Sequence, residues 1–179
     1  MLIRRDGDAN FPSTSQVNIP IFQSRLWPFS GGVSVPVRPI EILLVEDNMA
    51  DARLVVEAFK DSHVLNSINH VLDGADAMDY LRRQGSHAQA GLPDLVLLDL
   101  NLPKKDGREV LEEIRKDPKL HRLPVIALTT SESEADILRC YELGANAYIV
   151  KPVDFDKFIA VVQSIGVFWL QIVTLPSHI

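Results

Sequence analysis

Polar side chains with reactive groups follow four short apolar runs of the sequence, at the points where those runs end. They carry carboxylate, amide, hydroxyl and amine groups, and in chain order they are Glu46, Asp47, Asn48, Asp99, Asn101, Thr129, Thr130, Ser131 and Lys151. Asp99 stands directly behind the apolar run LVLL, where a charge is costly unless it is paired or coordinated. The set therefore indicates a polar site at the edge of an apolar core.

The carboxylates of Glu46, Asp47 and Asp99 would repel one another if they met, so we expect a countercharge beside them. Mg²⁺ supplies such a charge, because it binds one or two carboxylates together with carbonyl oxygens and waters. Lys151 adds a point charge suited to phosphate, and Thr129 adds a hydroxyl donor. This set suits phosphoryl transfer, in which Asp99 would be the nucleophile and would form an acyl phosphate.

Short apolar runs alternate with amphipathic stretches from residue 40 onward. We predict strands at residues 40–45, 67–72, 94–100, 123–130 and 146–150. We predict helices at residues 49–62, 74–85, 107–118, 131–145 and 154–170, with Ser133 as an N-cap and Gly144 behind a helix end. Five strand–helix rounds predict a parallel sheet with helices on both faces. The polar groups then meet in one pocket if the first, third, fourth and fifth strands are neighbours.

The composition is that of an acidic chain with ordinary apolar content. Its 179 residues carry a formal net charge of -6, which argues against a nucleic-acid partner. The single cysteine, Cys140, rules out an internal disulfide and fits a reducing compartment. We expect no membrane-spanning run of about 18 residues, and polar residues behind Arg4 and Arg5 argue against a signal peptide. A cytoplasmic protein without membrane contact is the resulting expectation.

Residues 1–39 are rich in Pro, Ser and Gly and show no period of 2 or 3.6. We expect an N-terminal extension there, either a flexible tail or an arm that covers a domain surface. Residues 40–170 are expected to form the folded domain, and residues 171–179 a C-terminal tail. Because this leaves no room for an output domain, we expect the protein to signal through a protein contact.

The segments LLVEDN, LVLLDLNLPKKDG, IALTTS and GANAYIVKP, taken together and in this order, closely resemble the receiver domain of bacterial response regulators. The resemblance implies a flavodoxin-like α/β fold whose five parallel strands lie in the order 2-1-3-4-5. It also implies the following roles: Asp99 as the phosphoacceptor and a metal ligand, Glu46 and Asp47 as the acids of the Mg²⁺ site, the backbone carbonyl of Asn101 as a further ligand, Thr129 and Tyr148 as switch residues, and Lys151 as the partner of the phosphate. The Lys151–Pro152 bond is implied to be cis. Such a chain is a phosphoacceptor signalling protein, which assists its own phosphorylation and dephosphorylation, rather than an enzyme.

A narrower resemblance is to the single-domain regulators that are paired with phytochrome-type histidine kinases. The segments RRQGSHAQAGLPDLVLLDLNLPKKDGREVL, HRLPVIALTTSESEADI and VFWLQIVTLP carry it. It implies a stand-alone response regulator of a two-component phosphorelay, with a sensor histidine kinase as its partner and a red-light-sensing bacterial phytochrome as that kinase.

The last predicted helix carries more apolar residues than one core-facing stripe requires. We therefore expect a homodimer through the face made by the fourth helix, fifth strand and fifth helix. A tail that folds back on its own domain is the alternative.

Two other functions use related folds. A haloacid-dehalogenase-like phosphatase would also use a nucleophile such as Asp99, but it needs a second Asp two residues on, where this chain has Asn101. A flavin-binding electron carrier needs a hydroxyl- and glycine-rich loop behind the first strand, where this chain has the anionic segment EDNMAD.

Overall fold

The computed structural model describes residues 38–60 and 65–176, which form a parallel sheet flanked by helices. The strands are β1 (Ile40–Val45), β2 (Asn66–Val71), β3 (Leu95–Leu98), β4 (Val125–Thr129) and β5 (Ala147–Val150). The helices are α1 (Met49–Lys60), α2 (Gly74–Arg82), α3 (Gly107–Lys116), α4 (Glu134–Glu142) and α5 (Phe155–Gly166). The extension predicted for residues 1–39 lies outside the described residues apart from its last two, and residues 177–179 of the predicted tail lie outside them as well.

The strands lie in the order β2-β1-β3-β4-β5, and every neighbouring pair is parallel. Val45 is the register partner of Leu98, and Thr129 is the register partner of Val150. The carboxyl ends of β1, β3, β4 and β5 therefore lie side by side along one edge of the sheet. The predicted α/β class and the predicted strand order are confirmed, and the condition for one shared pocket behind these strands is met.

The side chains of β3 enter two apolar cores, one on each face of the sheet. All four residues of β3 are buried, as expected for a parallel strand that helices cover on both faces. Val96 and Leu98 pack with residues of α2 and α3, whereas Leu95 and Leu97 pack with residues of α1 and α5. A shift of β3 by one residue would exchange the side chains on its two faces. This packing therefore fixes the register of β3 and places Asp99 directly behind it.

Aspartate side chains stand at the start of three helices. Asp73 caps α2 and Asp154 caps α5, each by accepting backbone N–H bonds, and Asp106 begins α3 in a capping box. Ser133 precedes α4 at the predicted position, but its side chain makes no capping hydrogen bond. Gly144 follows α4 with a φ of 92°, a conformation that glycine adopts without steric cost.

Several predicted elements run past the observed ends. The helix predicted for residues 74–85 ends at Arg82, because Arg83 takes a left-handed conformation with a φ of 55°. A 3₁₀ turn that the sequence did not predict follows at Gly85–His87. The helix predicted for residues 154–170 is regular only to Gly166 and continues with wider, π-helical turns over Val167–Ile172.

The helical stretch Phe155–Ile172 has 18 residues and a mean hydropathy of 1.3, so it is long and apolar enough to cross a membrane. The prediction that no apolar stretch reaches this length is therefore wrong, because it considered uninterrupted runs and not a helix with charges in its first turn. Core helices of soluble domains pass the same test, and α5 buries Phe158, Val162 and Ile165 in the core with α1. Length and composition are weak support for a membrane role of this helix.

Candidate functional site

Three carboxylates meet at the edge of the sheet where β1 and β3 end. One oxygen from each of Glu46, Asp47 and Asp99 lies within 4.8 Å of the others. Glu46 and Asp99 are buried and Asp47 is exposed, so the cluster opens to solvent on one side. Clustered carboxylate oxygens of this kind suit a hard divalent cation such as Mg²⁺ or Mn²⁺.

A close approach of two backbone segments fixes the loop that carries Asp99. The N–H of Gly107 donates to the carbonyl oxygen of Leu100 at 2.9 Å and closes the turn behind Asp99. A Cβ at Gly107 would collide with the carbonyl oxygen of Asp99 and come within 2.7 Å of the Cα of Leu100. Only glycine fits there, and α3 can therefore begin directly beside Asp99.

Lys151, which follows β5, reaches across to this acidic cluster. Its Nζ lies 2.7 Å from Oδ2 of Asp99 and also donates to Oε2 of Glu46. A third contact, of 3.1 Å, joins Nζ to Oδ2 of Asp51 in the first turn of α1. The ammonium group has three hydrogens, and three carboxylates surround it.

The pKa values of Glu46 and Lys151 are both raised, although burial and charge act against each other at each residue. Burial raises the pKa of the Glu46 carboxyl to about 7, although the ammonium group of Lys151 opposes the rise. Burial lowers the pKa of Lys151, but its hydrogen bonds to Asp99 and Glu46 outweigh that effect and leave the pKa raised. Lys151 is therefore charged near neutral pH, whereas the Glu46 carboxyl gains or loses its proton in that range.

Thr129 and Asn101 flank the Asp99 carboxylate. The backbone N–H of Asn101 donates to Oδ1 of Asp99 at 2.9 Å, and its side-chain amide lies 3.4 Å from Oγ1 of Thr129. Thr129 is fully buried, and Ser131 donates its backbone N–H to the same Oγ1 at 3.3 Å. Both contacts use the Thr129 oxygen as an acceptor, so its hydroxyl hydrogen is left to donate elsewhere.

Tyr148 lies further from the acidic cluster, on β5. Its hydroxyl donates to the backbone carbonyl of Ser131 at 2.9 Å, and its half-buried ring packs against the core on the α2 and α3 side. The structure therefore connects Tyr148 to the loop behind Thr129 and places it outside the group around Lys151.

Asp51 is the residue of this site that the sequence analysis missed. The predicted site contained only groups at strand ends, whereas Asp51 lies one helical turn later, on α1. A second difference concerns the Lys151–Pro152 bond, because the described residues contain no cis peptide. The cis form implied by the resemblance is therefore wrong for this structure, which has the trans form that X–Pro bonds favour by about 0.5–1 kcal/mol.

A five-stranded 2-1-3-4-5 sheet with an acidic cluster and a lysine at its carboxyl edge defines a receiver-type α/β domain. The family model of the response regulator receiver domain matches residues 42–163. The chain belongs to this family, as the sequence motifs indicated. Membership decides against the phosphatase and flavin-carrier alternatives, in agreement with Asn101 and the anionic loop behind β1.

The chain is similar to response regulators of cyanobacteria. Response regulator Rcp1 of Synechocystis sp. strain PCC 6803 is 49% identical over 139 residues, which cover 78% of this chain and 95% of Rcp1. The crystal structure of the Mn²⁺-bound form of Rcp1 matches with a TM-score of 0.76 and 49% identity, covering 78% of this chain and 100% of that one. The crystal structure of the phosphorylated cyanobacterial phytochrome response regulator RcpA matches with a TM-score of 0.76 and 51% identity, at the same coverage.

Proposed function

We propose that this chain is a stand-alone response regulator that accepts a phosphoryl group from a sensor histidine kinase onto Asp99. The observation that carries the proposal is the contact between Lys151 and Asp99 beside the carboxylates of Glu46 and Asp47. A cation, a nucleophile and a cluster of acids thus occupy one edge of the sheet. The match to 95% of the length of Rcp1 supports a regulator that acts without a separate output domain.

In the proposed reaction an oxygen of the Asp99 carboxylate attacks the phosphorus of a phosphohistidine. The new O–P bond forms as the N–P bond breaks, and the imidazole nitrogen leaves with the electron pair of that bond. The N–H of Asn101 holds Oδ1 of Asp99 and fixes the rotation of the carboxylate. Lys151 stays within reach of the added phosphoryl oxygens because its Nζ already contacts Oδ2.

A divalent cation, which we propose is Mg²⁺, would be held by Glu46, Asp47, Asp99 and the backbone carbonyl of Asn101. When bound, it would offset the charge of the carboxylates and of the transferred phosphoryl group. The cluster of three carboxylates supports this assignment. Asp47, the exposed acid, is the direct ligand that we propose for an ion arriving from solvent.

We propose that Thr129 and Tyr148 convert the added charge into a changed surface. Phosphorylation adds about 1.5 to 2 negative charges at pH 7. The Thr129 hydroxyl has a hydrogen left to donate and would move toward the phosphoryl oxygens. Tyr148 would then rotate further inward, into the space that Thr129 leaves, which changes the face formed by α4, β5 and α5.

For the partner kinase we propose a bacterial phytochrome, and for the signal red light. RcpA is a phytochrome response regulator and shares 51% identity with this chain. A bacteriophytochrome response regulator, AtBRR, shares 45% identity at a TM-score of 0.60. We further propose a cytoplasmic protein whose receiver domain spans residues 40–170, between an N-terminal extension and a short C-terminal tail.

A homodimer through α4, β5 and α5 completes the proposal. Leu138 and Tyr141 of α4 and Phe155 and Phe168 beyond β5 expose half or more of their surfaces. The apolar residues of the last helix have two roles in this proposal. Phe158 and its neighbours on the inner face are buried in the core, and the exposed ones form the dimer surface. Light scattering over a concentration series, with and without phosphodonor, tests this part, and a monomer at every concentration would reject it.

Treatment with acetyl phosphate and Mg²⁺, followed by intact mass analysis, tests the central proposal. We expect one added phosphoryl group that hydroxylamine removes, as it does from acyl phosphates. Asp99→Asn should abolish the addition, whereas Asp79→Asn, the same change at an exposed position of α2, should leave it intact. Labelling of Asp99→Asn to the wild-type extent would refute the assignment of the acceptor.

A further inference from the structure

His70, on the edge strand β2, contacts the loop that carries two of the three clustered acids. Its Nε2 lies 2.7 Å from the backbone carbonyl oxygen of Glu46. β2 lies at one end of the sheet beside β1, and His70 is the register partner of Leu44. The side chain of His70 is partly buried. No step of the proposed phosphoryl transfer uses a residue of β2.

The contact between His70 and Glu46 has a defined donor. A carbonyl oxygen only accepts hydrogen bonds, so the hydrogen must be on Nε2 of His70. In addition, the backbone N–H of Glu46 donates to the carbonyl oxygen of Val71 at 3.1 Å. β2 therefore holds Glu46 at both its N–H and its carbonyl group, although Glu46 lies beyond the last residue of β1.

The carbonyl group that His70 holds belongs to the peptide unit between Glu46 and Asp47. A peptide unit is planar, so a fixed carbonyl group also fixes the N–H and the Cα of the next residue. The side chain of Glu46 has contacts of its own, since it accepts hydrogen bonds from Lys151 and from the backbone N–H of Asn48. Asp47 is exposed, and no hydrogen bond or ion pair within the described residues holds its carboxylate. The direction of the Asp47 side chain therefore depends on the backbone that His70 holds.

We propose that His70 is a positioning residue of the cation site, whose ring N–H directs the carboxylate of Asp47 toward Glu46 and Asp99. The inference rests on the proposed function, in which Asp47 is the direct ligand of the divalent cation. One oxygen of Asp47 lies within 4.8 Å of an oxygen of each of the other two acids, as a shared cation requires. Without the N–H of His70, the Glu46–Asp47 peptide could rotate and this oxygen could leave the cluster.

The expected effect of removing this N–H is a weaker affinity for divalent cations. Groups that orient a metal ligand without touching the metal typically change the affinity about 10- to 100-fold when they are removed. His70 acts through one peptide unit and not on the side chain of the ligand, so we expect a loss of roughly tenfold, at the low end of that range.

The test measures Mn²⁺ binding to the full chain from the electron paramagnetic resonance signal of the free ion, with Mg²⁺ as a competitor. His70→Leu removes the N–H and should bind Mn²⁺ roughly tenfold more weakly than wild type. His70→Gln should bind nearly as tightly as wild type, because its amide nitrogen stands as many bonds from Cβ as Nε2 of histidine and also donates. In an Asp47→Asn background, His70→Leu should cause no further loss, since both changes act on one ligand.

His121→Leu is the matched control, because Nδ1 of His121 lies 2.9 Å from the backbone carbonyl oxygen of Pro118, in the turn behind α3. Its Mn²⁺ affinity should equal that of wild type. Urea unfolding of each variant separates the two kinds of role, since a purely structural residue would lower the stability of His70→Leu and leave its Mn²⁺ affinity unchanged.

Wild-type Mn²⁺ affinity in His70→Leu, or equally weak binding by His70→Gln and His70→Leu, would overturn the inference and leave the proposed function standing. A wild-type chain that binds no Mn²⁺ would overturn the inference together with the cation site. Mn²⁺ binding with the expected dependence on His70, in a chain that accepts no phosphoryl group from acetyl phosphate, would support the inference and overturn the proposed phosphoryl transfer.

Discussion

The Nζ of Lys151 lies 2.7 Å from Oδ2 of Asp99, although the two residues follow strands that are separated by β4. The lysine side chain spans the intervening strand end and is buried together with Glu46 and Asp99. It is the cation that the described residues bring to a group of carboxylates formed by Glu46, Asp51 and Asp99. The stability of the unliganded domain should therefore depend on this single ammonium group.

Replacement of Lys151 by Met keeps the length of the side chain and removes its charge. The buried carboxylates of Glu46 and Asp99 then lose their countercharge, which costs about 3–5 kcal/mol when one partner of a buried pair is removed. Urea unfolding without divalent ions should show this loss, and Mg²⁺ should recover part of it. Lys60→Met, at an exposed pair on α1, is the control and should be nearly neutral. Equal stability of Lys151→Met and wild type would contradict the argument.

Asp47→Asn tests whether the acidic cluster holds a cation. Asp47 is exposed and its removal lowers the charge repulsion around Glu46 and Asp99, so the variant without metal should be at least as stable as wild type. A ligand at 100 times its Kd stabilises a protein by about 2.7 kcal/mol. We expect Mg²⁺ to raise the Tm of wild type in a concentration-dependent manner and to have little effect on Asp47→Asn. A Tm rise of equal size in the variant would exclude Asp47 as a ligand.

Gly107→Ala should damage the site through the backbone rather than through charge. The new Cβ collides with the carbonyl oxygen of Asp99, so either the start of α3 or the loop that carries Asp99 must move. We expect a destabilisation of about 1–3 kcal/mol, as in other cases of overpacking, together with slower phosphorylation of Asp99. Chemical denaturation and acetyl phosphate labelling measure the two effects. Gly91→Ala, where a Cβ meets no atom within 4 Å, should change neither.

The sequence was sufficient to predict the parallel sheet and the polar groups that follow its strands. Neighbouring parallel strands place their carboxyl ends on one edge of the sheet. The proximity of Glu46, Asp99 and Lys151 could therefore be predicted, because each residue follows an apolar run. Asp51 could not, because the rotation of α1 about its axis decides whether that side chain faces Lys151 or solvent. Side-chain contacts between helices depend on packing angles that local patterns do not encode.

The ion pair between Arg108 on α3 and Asp136 on α4 could not be predicted for the same reason. The two residues are far apart in the chain and meet because α3 and α4 pack on the same face of the sheet. Ser133 lies directly before α4 as predicted, yet its side chain makes no capping hydrogen bond, and its backbone N–H donates to Ser131 Oγ. The sequence therefore predicts where a helix begins more reliably than it predicts which side chain makes the hydrogen bonds at its first turn.

Asp73 provides a pH-dependent contribution to stability away from the acidic cluster. It caps α2 by accepting the N–H groups of Ala75 and Asp76, and Nζ of Lys104 contacts its Oδ2 at 2.5 Å. The hydrogen bond from Lys104, aided by the backbone N–H groups, lowers the pKa of the Asp73 carboxyl. The pKa of Asp73 is therefore lower in the folded state than in the unfolded state. Ionised Asp73 stabilises the fold at any pH above the unfolded pKa, and this stabilisation is lost as the pH falls through the folded pKa.

Two variants separate the charge of Asp73 from its capping role. Asp73→Ala removes both and should cost about 0.5–2 kcal/mol near pH 7. Asp73→Asn keeps a good cap and removes the charge, so its deficit relative to wild type should be smaller at pH 7 and should shrink further as the pH is lowered below 4. Urea unfolding at several pH values measures both curves. A deficit of Asp73→Asn that stays constant from pH 7 to pH 3 would show that the ionised carboxylate contributes nothing, and the contact with Lys104 would then be a surface pair without effect on stability.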